Sequence, residues 1–522
     1  MPWVDIRNAD DRLSIWYITN TLHNNVGAFD PEKPTIIIMH PVFLCTRWLD
    51  NQFGDPRLDA GYNLIAFDNR VSGRSSARPS GKHDCWVQAA DMALFMQRLR
   101  LPPSHILALE AMSTTTALRF AALFPEMCLS LTLCNVPAPT EQKYIYTAYI
   151  ELLESWVTAE DLDTFENVAK ESASFVAGLD CDLDLCDDLI RYWELNMPPT
   201  RAQRVTEHLN VLMNRTPLSP ETLERITQPV LILHAERNET CPLKFADKLA
   251  EQLINVPGHA IVYTVKGASG CLGIVPGHAS IANQVFMKFL SRLPPARSDF
   301  LPLSMPTRDR MHQALFVLSQ ITGDRSATLR DPMSSLSFSC VSPDVLRRQE
   351  AMLVQYGLLE SYAFSPLDRD GFAPSRYAPN TNMYSSLLTD TVHSDILGAS
   401  KRPSTGSTAA KTDTPTLVTN AVVLSEHQKY EPEPEPLPPH LPLPKPSVYR
   451  PSQGDALPKH SRHRSEDPLP PGKDRVLPAP QEPLRSRGFR RRNTKGGADR
   501  ASKGFTSSSN LPPVTVSFDK AL

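Results

Sequence analysis

The residues best placed to do chemistry lie where a strand is expected to bend sharply into a helix. The stretch HILALEAMSTTTALRFAALFP at 105–125 opens with the apolar run Ile106, Leu107, Ala108, Leu109. It turns through Glu110, Ala111, Met112 and Ser113, and continues as an apolar helix over 117–124, closed by Pro125. A turn of this kind is the setting in which the pattern G-x-S-x-G lifts a serine hydroxyl toward a carbonyl. Laid without gaps on the ALRFAALFPE that follows, the pattern places its first Gly at Leu109 and its Ser at Ala111. Its next two small residues fall at Ser113 and Thr114. A methyl group cannot attack a carbonyl. Three other groups are fallback candidates: Ser113, Cys271 and His40. Ser113 sits two residues past the apex, where it and Thr114 and Thr115 equally serve to satisfy the free N–H groups of a helix start. A Cys271–His40 pair would supply a thiol and a base, against which stands the plain reading of a buried small Cys and a strand-end His. Glu110 is a carboxylate one residue short of the apex, out of register for a nucleophile.

The elements that must position these residues are legible in the apolar pattern. Residues 12–19 (RLSIWYIT) partly alternate, as an edge strand does. Residues 35–40 (TIIIMH) form a continuous β-branched run, the signature of a buried parallel strand. Further strands are expected at 62–68, at 106–109, at 129–136 (LSLTLCNV), at 229–234 (PVLILH) and at 260–265 (AIVYTV). A short helix is expected over 48–53, and an amphipathic one over 86–99, with Ala89, Met92, Ala93, Phe95, Met96 and Leu99 at helical spacing. Between the strands ending at 136 and starting at 229, only helical patterns occur. Strands alternating with helices imply a mostly parallel sheet, eight-stranded, with helices on both faces. The insertion at about 138–226 would lie over the C-terminal strand ends, where open sheets of this class bind ligands, and reads as a helical lid.

Composition divides the chain in three. Of 522 residues, 48 are proline, and these crowd toward the end. The expected organisation is a large α/β domain over 1–298, a helical extension of unclear packing over 299–380, and a disordered Pro-rich and basic tail over 381–522. Segments such as EPEPEPLPPHLPLPKP bury too little apolar area to offset chain entropy. Their PxxP spacing suits an SH3-like reader. The net charge of −3 gives the whole chain no bias toward nucleic acid or membrane, and no nucleic acid is expected for the folded domain. The start lacks a basic region followed by an apolar segment, so no secretory signal is expected, and no apolar run reaches the roughly 18 residues of a membrane span. The nine cysteines are odd in number and scattered, which suits a reduced, cytoplasmic setting. The basic cluster beginning at Arg485 and ending at Arg492 offers nuclear import as an alternative destination. No cofactor is expected, and the acidic pair Cys181 and Cys186 lacks the spacing and histidines of a metal site.

Three pieces carry a family resemblance. FDNRVSGRSS at 67–76 resembles the F-D-x-R-G-x-G-x-S turn of the α/β-hydrolase superfamily in its lidded esterase and epoxide-hydrolase-like branch, with Val71 at the first Gly. ALRFAALFPE at 117–126, followed by LSLTLCN, resembles the helix and strand after the nucleophile. PVLILHAERNETCPLKFADKLAEQL at 229–253 resembles the strand carrying the catalytic acid and the helix after it. The resemblance implies the α/β-hydrolase fold and a Ser-His-Asp triad, whose positions here hold Ala111 (nucleophile), Asn238 (acid) and Gly270 (base). Asn orients an imidazole but brings no charge to stabilise an imidazolium. His278, seven residues past Cys271, reads as a residue of the final helix start. The backbone N–H groups of Val42, Phe43 and Met112 remain as a potential oxyanion hole, since main-chain donors do not depend on side chains. The expectation is a hydrolase-like protein without its triad, binding a small apolar ligand or a protein partner at the lidded pocket. The alternative is an ester-type hydrolase acting through unorthodox residues.

Overall fold

The computed structural model describes residues 2–8, 11–178, 181–299 and 305–365. The Pro-rich tail with its PxxP motifs and the basic cluster at 485–492 lie outside the described residues. Among the described residues, nine strands form one sheet: β1 (Trp3–Arg7), β2 (Arg12–Thr19), β3 (Thr35–Met39), β4 (Asn63–Phe67), β5 (Ser76–Ala77), β6 (Ser104–Ala108), β7 (Cys128–Cys134), β8 (Val230–Ala235) and β9 (Ile261–Val265). The order is β1-β2-β4-β3-β6-β7-β8-β9, with the two-residue β5 on β2. The sheet is parallel from β4 through β9, and antiparallel where β2 meets β1, β4 and β5. Seven of these answer the apolar runs of the sequence, and β1 and β5 are additional, so the sheet holds nine strands where eight are expected. Both are short and lie against β2, where side chains alternate between core and water. The central strands β3, β4, β6 and β8 are buried at every residue, as continuous apolar runs in a doubly covered sheet must be.

The helices are α1 (Asp50–Phe53), α2 (Pro56–Gly61), α3 (Cys85–Arg98), α4 (Ala111–Leu123), α5 (Lys143–Val157), α6 (Leu162–Ala177), α7 (Leu183–Asn196), α8 (Ala202–Met213), α9 (Pro220–Leu223), α10 (Leu243–Gln252), α11 (Pro276–Leu290), α12 (Thr307–Thr322) and α13 (Pro343–Leu359). Caps fix several starts. Asp84 accepts the N–H groups of Trp86 and Val87, Asp161 that of Thr164, and Asp182 that of Asp184, as short acceptor side chains at an N-cap do.

Helix α3 departs from the amphipathic reading. Every residue from Cys85 to Gln97 is buried, including Gln88, Asp91 and Gln97. The face that pattern alone assigns to water is covered by the segment after residue 305. Met311, Ala314, Leu315 and Leu318 of α12, together with Phe338, belong to the same apolar cluster as Phe95, Phe120 and Leu131. Gln97 Oε1 accepts from Arg310 Nη1 at 3.2 Å. The core therefore continues well past residue 298. Helix α13 lies along α8, where Gln203 donates from Nε2 to Leu353 O at 2.9 Å and from its backbone N–H to Glu360 Oε1 at 2.8 Å.

The insertion has its own apolar centre. Trp156 stands edge-on to Phe165 (5.0 Å between ring centres) and to Trp193 (5.6 Å). This cluster extends onto Leu44, Cys45 and Trp48 after β3, and onto Cys271 and Ile274 after β9. Burying each large side chain of this kind is worth roughly 1.5–3 kcal/mol, so α5 to α8 are held to the strand ends and not merely tethered there.

Candidate functional site

Strand β6 hands over to α4 through Leu109 and Glu110. Glu110 is extended (φ −164°, ψ 162°), and the helix begins at Ala111. Nucleophile elbows are sharp, strained turns. Here the non-glycine residues with positive φ among those described are His23, Asn24, Phe43, Arg100, Asn135 and His259, so the turn itself is relaxed. Strain sits instead at Phe43 (φ 60°), in the loop after β3, and at Asn135 (φ 54°), at the end of β7.

The loop after β3 is held from both sides. His40 is fully buried. Its Nε2 accepts the N–H of Asn69 at 3.1 Å, so the ring proton is on Nδ1 and donates to Pro41 O at 2.7 Å. Burial lowers its pKa, opposed by the nearby Asp68 carboxylate. Phe43 O accepts the indole N–H of Trp193 in α7 at 2.9 Å, a bond that helps hold the left-handed Phe43 in place. Asp68 takes the N–H groups of Thr46 and Arg74, each at 2.8 Å. A Cβ at Gly73 (φ +46°) would lie 2.2 Å from Asp68 Oδ2, so the turn at 67–76 requires glycine there. Val71, at the position of the family's first Gly, is buried and its carbonyl accepts from His208 Nε2 of α8 at 3.0 Å.

The remaining candidates are each engaged elsewhere. Ser113 donates from Oγ to His40 O at 2.5 Å. The Cys271 thiol points to Leu109 O at 3.5 Å, and burial holds its pKa far above the ordinary thiol value. The Cys271–His40 pairing does not form, because both His40 nitrogens serve backbone groups. Asn238 spends its Oδ1 on Thr240 Oγ1 (2.9 Å) and on the N–H of Cys241 (2.8 Å), a local turn. Gly270 is pressed against the insertion. A Cβ there would lie 2.1 Å from the carbonyl carbon of Ala177, at the end of α6. Gly178 (φ +91°) returns the contact, where a Cβ would meet Ser269 Oγ at 2.3 Å. Cys271 N–H donates to Val176 O at 2.9 Å, and Asn135 Nδ2 to Gly270 O at 3.0 Å. His278 lies in the first turn of α11.

Above Ala111 is a narrow cavity of about 60 Å³. Val42, Phe43 and Ala111 form its floor, and Tyr149, Trp156, Phe175, Trp193 and Leu209 of the insertion its walls and roof. Its charged members are Glu110, Glu141 and Arg215. Arg215 and Glu141 pair with each other at 2.6 Å. Glu110, out of register for a nucleophile, belongs to this lining. It is 6% exposed, and its Oε2 has no hydrogen-bond partner. Burial pushes its carboxyl up to about 7, against a smaller pull downward from the Ala111 N–H. The signal was present in LALEAM, a lone charge in an otherwise apolar strand-to-helix junction.

The family model described as alpha/beta hydrolase fold matches residues 35–265, from the first residue of β3 to the last of β9. A search of curated proteins returned no match. Solved structures similar to this chain include an esterase from Exiguobacterium antarcticum (17% identity, TM-score 0.43, covering 55% of this chain and 97% of that one). They also include a bromoperoxidase from Bacillus anthracis (18% identity, TM-score 0.43, 55% and 99%) and an enol-lactonase from Burkholderia xenovorans (13% identity, TM-score 0.43, 54% and 97%).

Proposed function

This chain belongs to the α/β-hydrolase superfamily, and we propose that it uses the fold to bind rather than to hydrolyse, as a pseudohydrolase whose helical lid encloses a small apolar ligand. The observation that carries this reading is the contact between Gly270 and Ala177. The resemblance puts the catalytic base at 270, and there the lid backbone fills the space that an imidazole would need. The relaxed turn at Glu110 and Ala111 supports it from the other side, since nothing is spent there on presenting a nucleophile. Hydrolysis through Ser113, Cys271 or His40 would require each to leave the partner it now has. A protein partner in place of a small ligand would have to reach a cavity walled by buried aromatic side chains, which favours the small molecule.

The test is ester turnover by the full-length chain beside its Ala111→Ser variant, on short and medium acyl esters. Both are expected to match buffer, because a hydroxyl at 111 still lacks a base. A fluorophosphonate is expected to leave the protein unlabelled, and stoichiometric labelling in the cavity would overturn the proposal. A bound ligand at about a hundred times its Kd is expected to stabilise the fold by about 2.7 kcal/mol, read as a rise in melting temperature.

A further inference from the structure

Resting on this ligand-binding reading, we propose that the ligand is a slender apolar amine, its ammonium group received by Glu110 and its hydrocarbon chain lying among the aromatic side chains of the lid. Glu110 lines the cavity, is 6% exposed, and leaves Oε2 without a partner. A buried acceptor in this state is completed by a hydrogen-bond donor, and a charged donor makes the stronger bond. The other charges in the lining cancel, since Arg215 and Glu141 form a pair at 2.6 Å. An ionised Glu110 therefore leaves the cavity one negative charge in excess, which favours a cation and repels a carboxylate. The walls add to this, because Phe43, Tyr149, Trp156, Phe175 and Trp193 are aromatic, and aromatic rings attract cations as well as alkyl chains. The small volume selects a single unbranched chain over a bulky ring.

Proton linkage gives the proposal a second handle. The titratable groups that face Glu110 are Cys134 on β7, Tyr149 on α5, Cys241 after β8 and Cys271 after β9. Burial raises all four, so they stay neutral through the physiological range and leave Glu110 as the group that titrates. Its carboxyl, pushed up to about 7 by burial, must ionise to hold an ammonium group. Amine affinity is thus expected to rise with pH through about 7 and to be lost below it.

The experiment is isothermal titration calorimetry of the full-length chain with n-hexylamine, n-hexanol and n-hexanoate. At about pH 8 hexylamine is expected to bind about tenfold or more tighter than hexanol, with hexanoate weakest. At about pH 5.5 that preference is expected to vanish. Glu110→Gln is expected to remove the amine preference at pH 8 and, with it, the pH dependence of hexylamine binding. If hexanol or hexanoate binds as tightly as the amine at pH 8, the amine proposal fails and the ligand-binding reading stands. If none of the three binds, both fail. Should Glu110→Gln not fold, the wild-type pH series decides alone: a pH-independent preference overturns the proposal.

Discussion

Two hydrogen atoms standing where side chains usually begin do much to set what this site can be. Gly178 and Gly270 face each other across the end of α6, and each would drive a Cβ into the other's loop. Gly270→Ala is expected to destabilise the fold by about 2–4 kcal/mol, since the Ala177 main chain it would meet cannot swing away; urea unfolding reads this as a lower midpoint. Gly270→His should be worse, so rebuilding a triad by substitution is expected to fail at the base before the nucleophile matters. Glu110 gives a prediction of opposite sign. Its folded-state pKa is raised to about 7 from 4.5, so the native state holds a proton that the unfolded chain gives up. Stability is therefore lost as pH climbs from about 4.5 through 7, by up to about 3 kcal/mol. Glu110→Gln is expected to raise the melting temperature at about pH 8 and to leave it unchanged near pH 4.5. Sequence alone, through its family resemblance, assigns Ala111, Asn238 and Gly270 to the triad positions. It could not reveal that Ala177, far off in the chain, occupies the space beside Gly270. It set Glu110 aside because register was used to judge it, when its apolar surroundings were the telling feature.

At the scale of elements, periodicity served wherever one partner face decides a helix or strand. The insertion helices, the central strands and both helices after residue 305 follow their apolar spacing to within a few residues. It misled for α3, whose polar residues Asp91 and Gln97 are buried under a later segment, because no local pattern announces a distant cover. β5, at two residues, is too short for a period to register, and β1 carries only Val4 and Ile6 on its buried face. The cover makes a prediction of its own. Leu315→Ala is expected to cost about 2–5 kcal/mol, as core truncations do, measured by chemical denaturation. A chain ended at residue 298 is expected to expose the apolar residues beneath α12 and to aggregate on expression. Gln203→Ala, which removes the side-chain bond from α8 to Leu353 O in α13, is expected to speed amide exchange in those two helices while the central strands stay protected.

At the scale of the whole molecule, one buried guanidinium joins distant parts of the chain. Arg70 binds Asp11 through Nη1 and Nη2 (2.9 and 2.8 Å) and Asp91 through Nε and Nη2 (3.0 and 2.8 Å), and it donates to Ser335 Oγ at 2.7 Å. The N-terminal hairpin, α3 and the segment between α12 and α13 thus meet at a single side chain. Arg70→Ala is expected to cost about 3–5 kcal/mol, because it strands two carboxylates in the core, and thermal unfolding should report it as one cooperative loss across the domain. The insertion is secured in a comparable way, at its α6 end by Gly178 on the 269–271 loop and at α8 by α13. A door fastened on two sides does not swing. A guest must then slip between side chains as they breathe, so its arrival and departure are expected to be slow and steeply quickened by warming. Residence time, more than affinity, would be the quantity in which this chain differs from an open cleft.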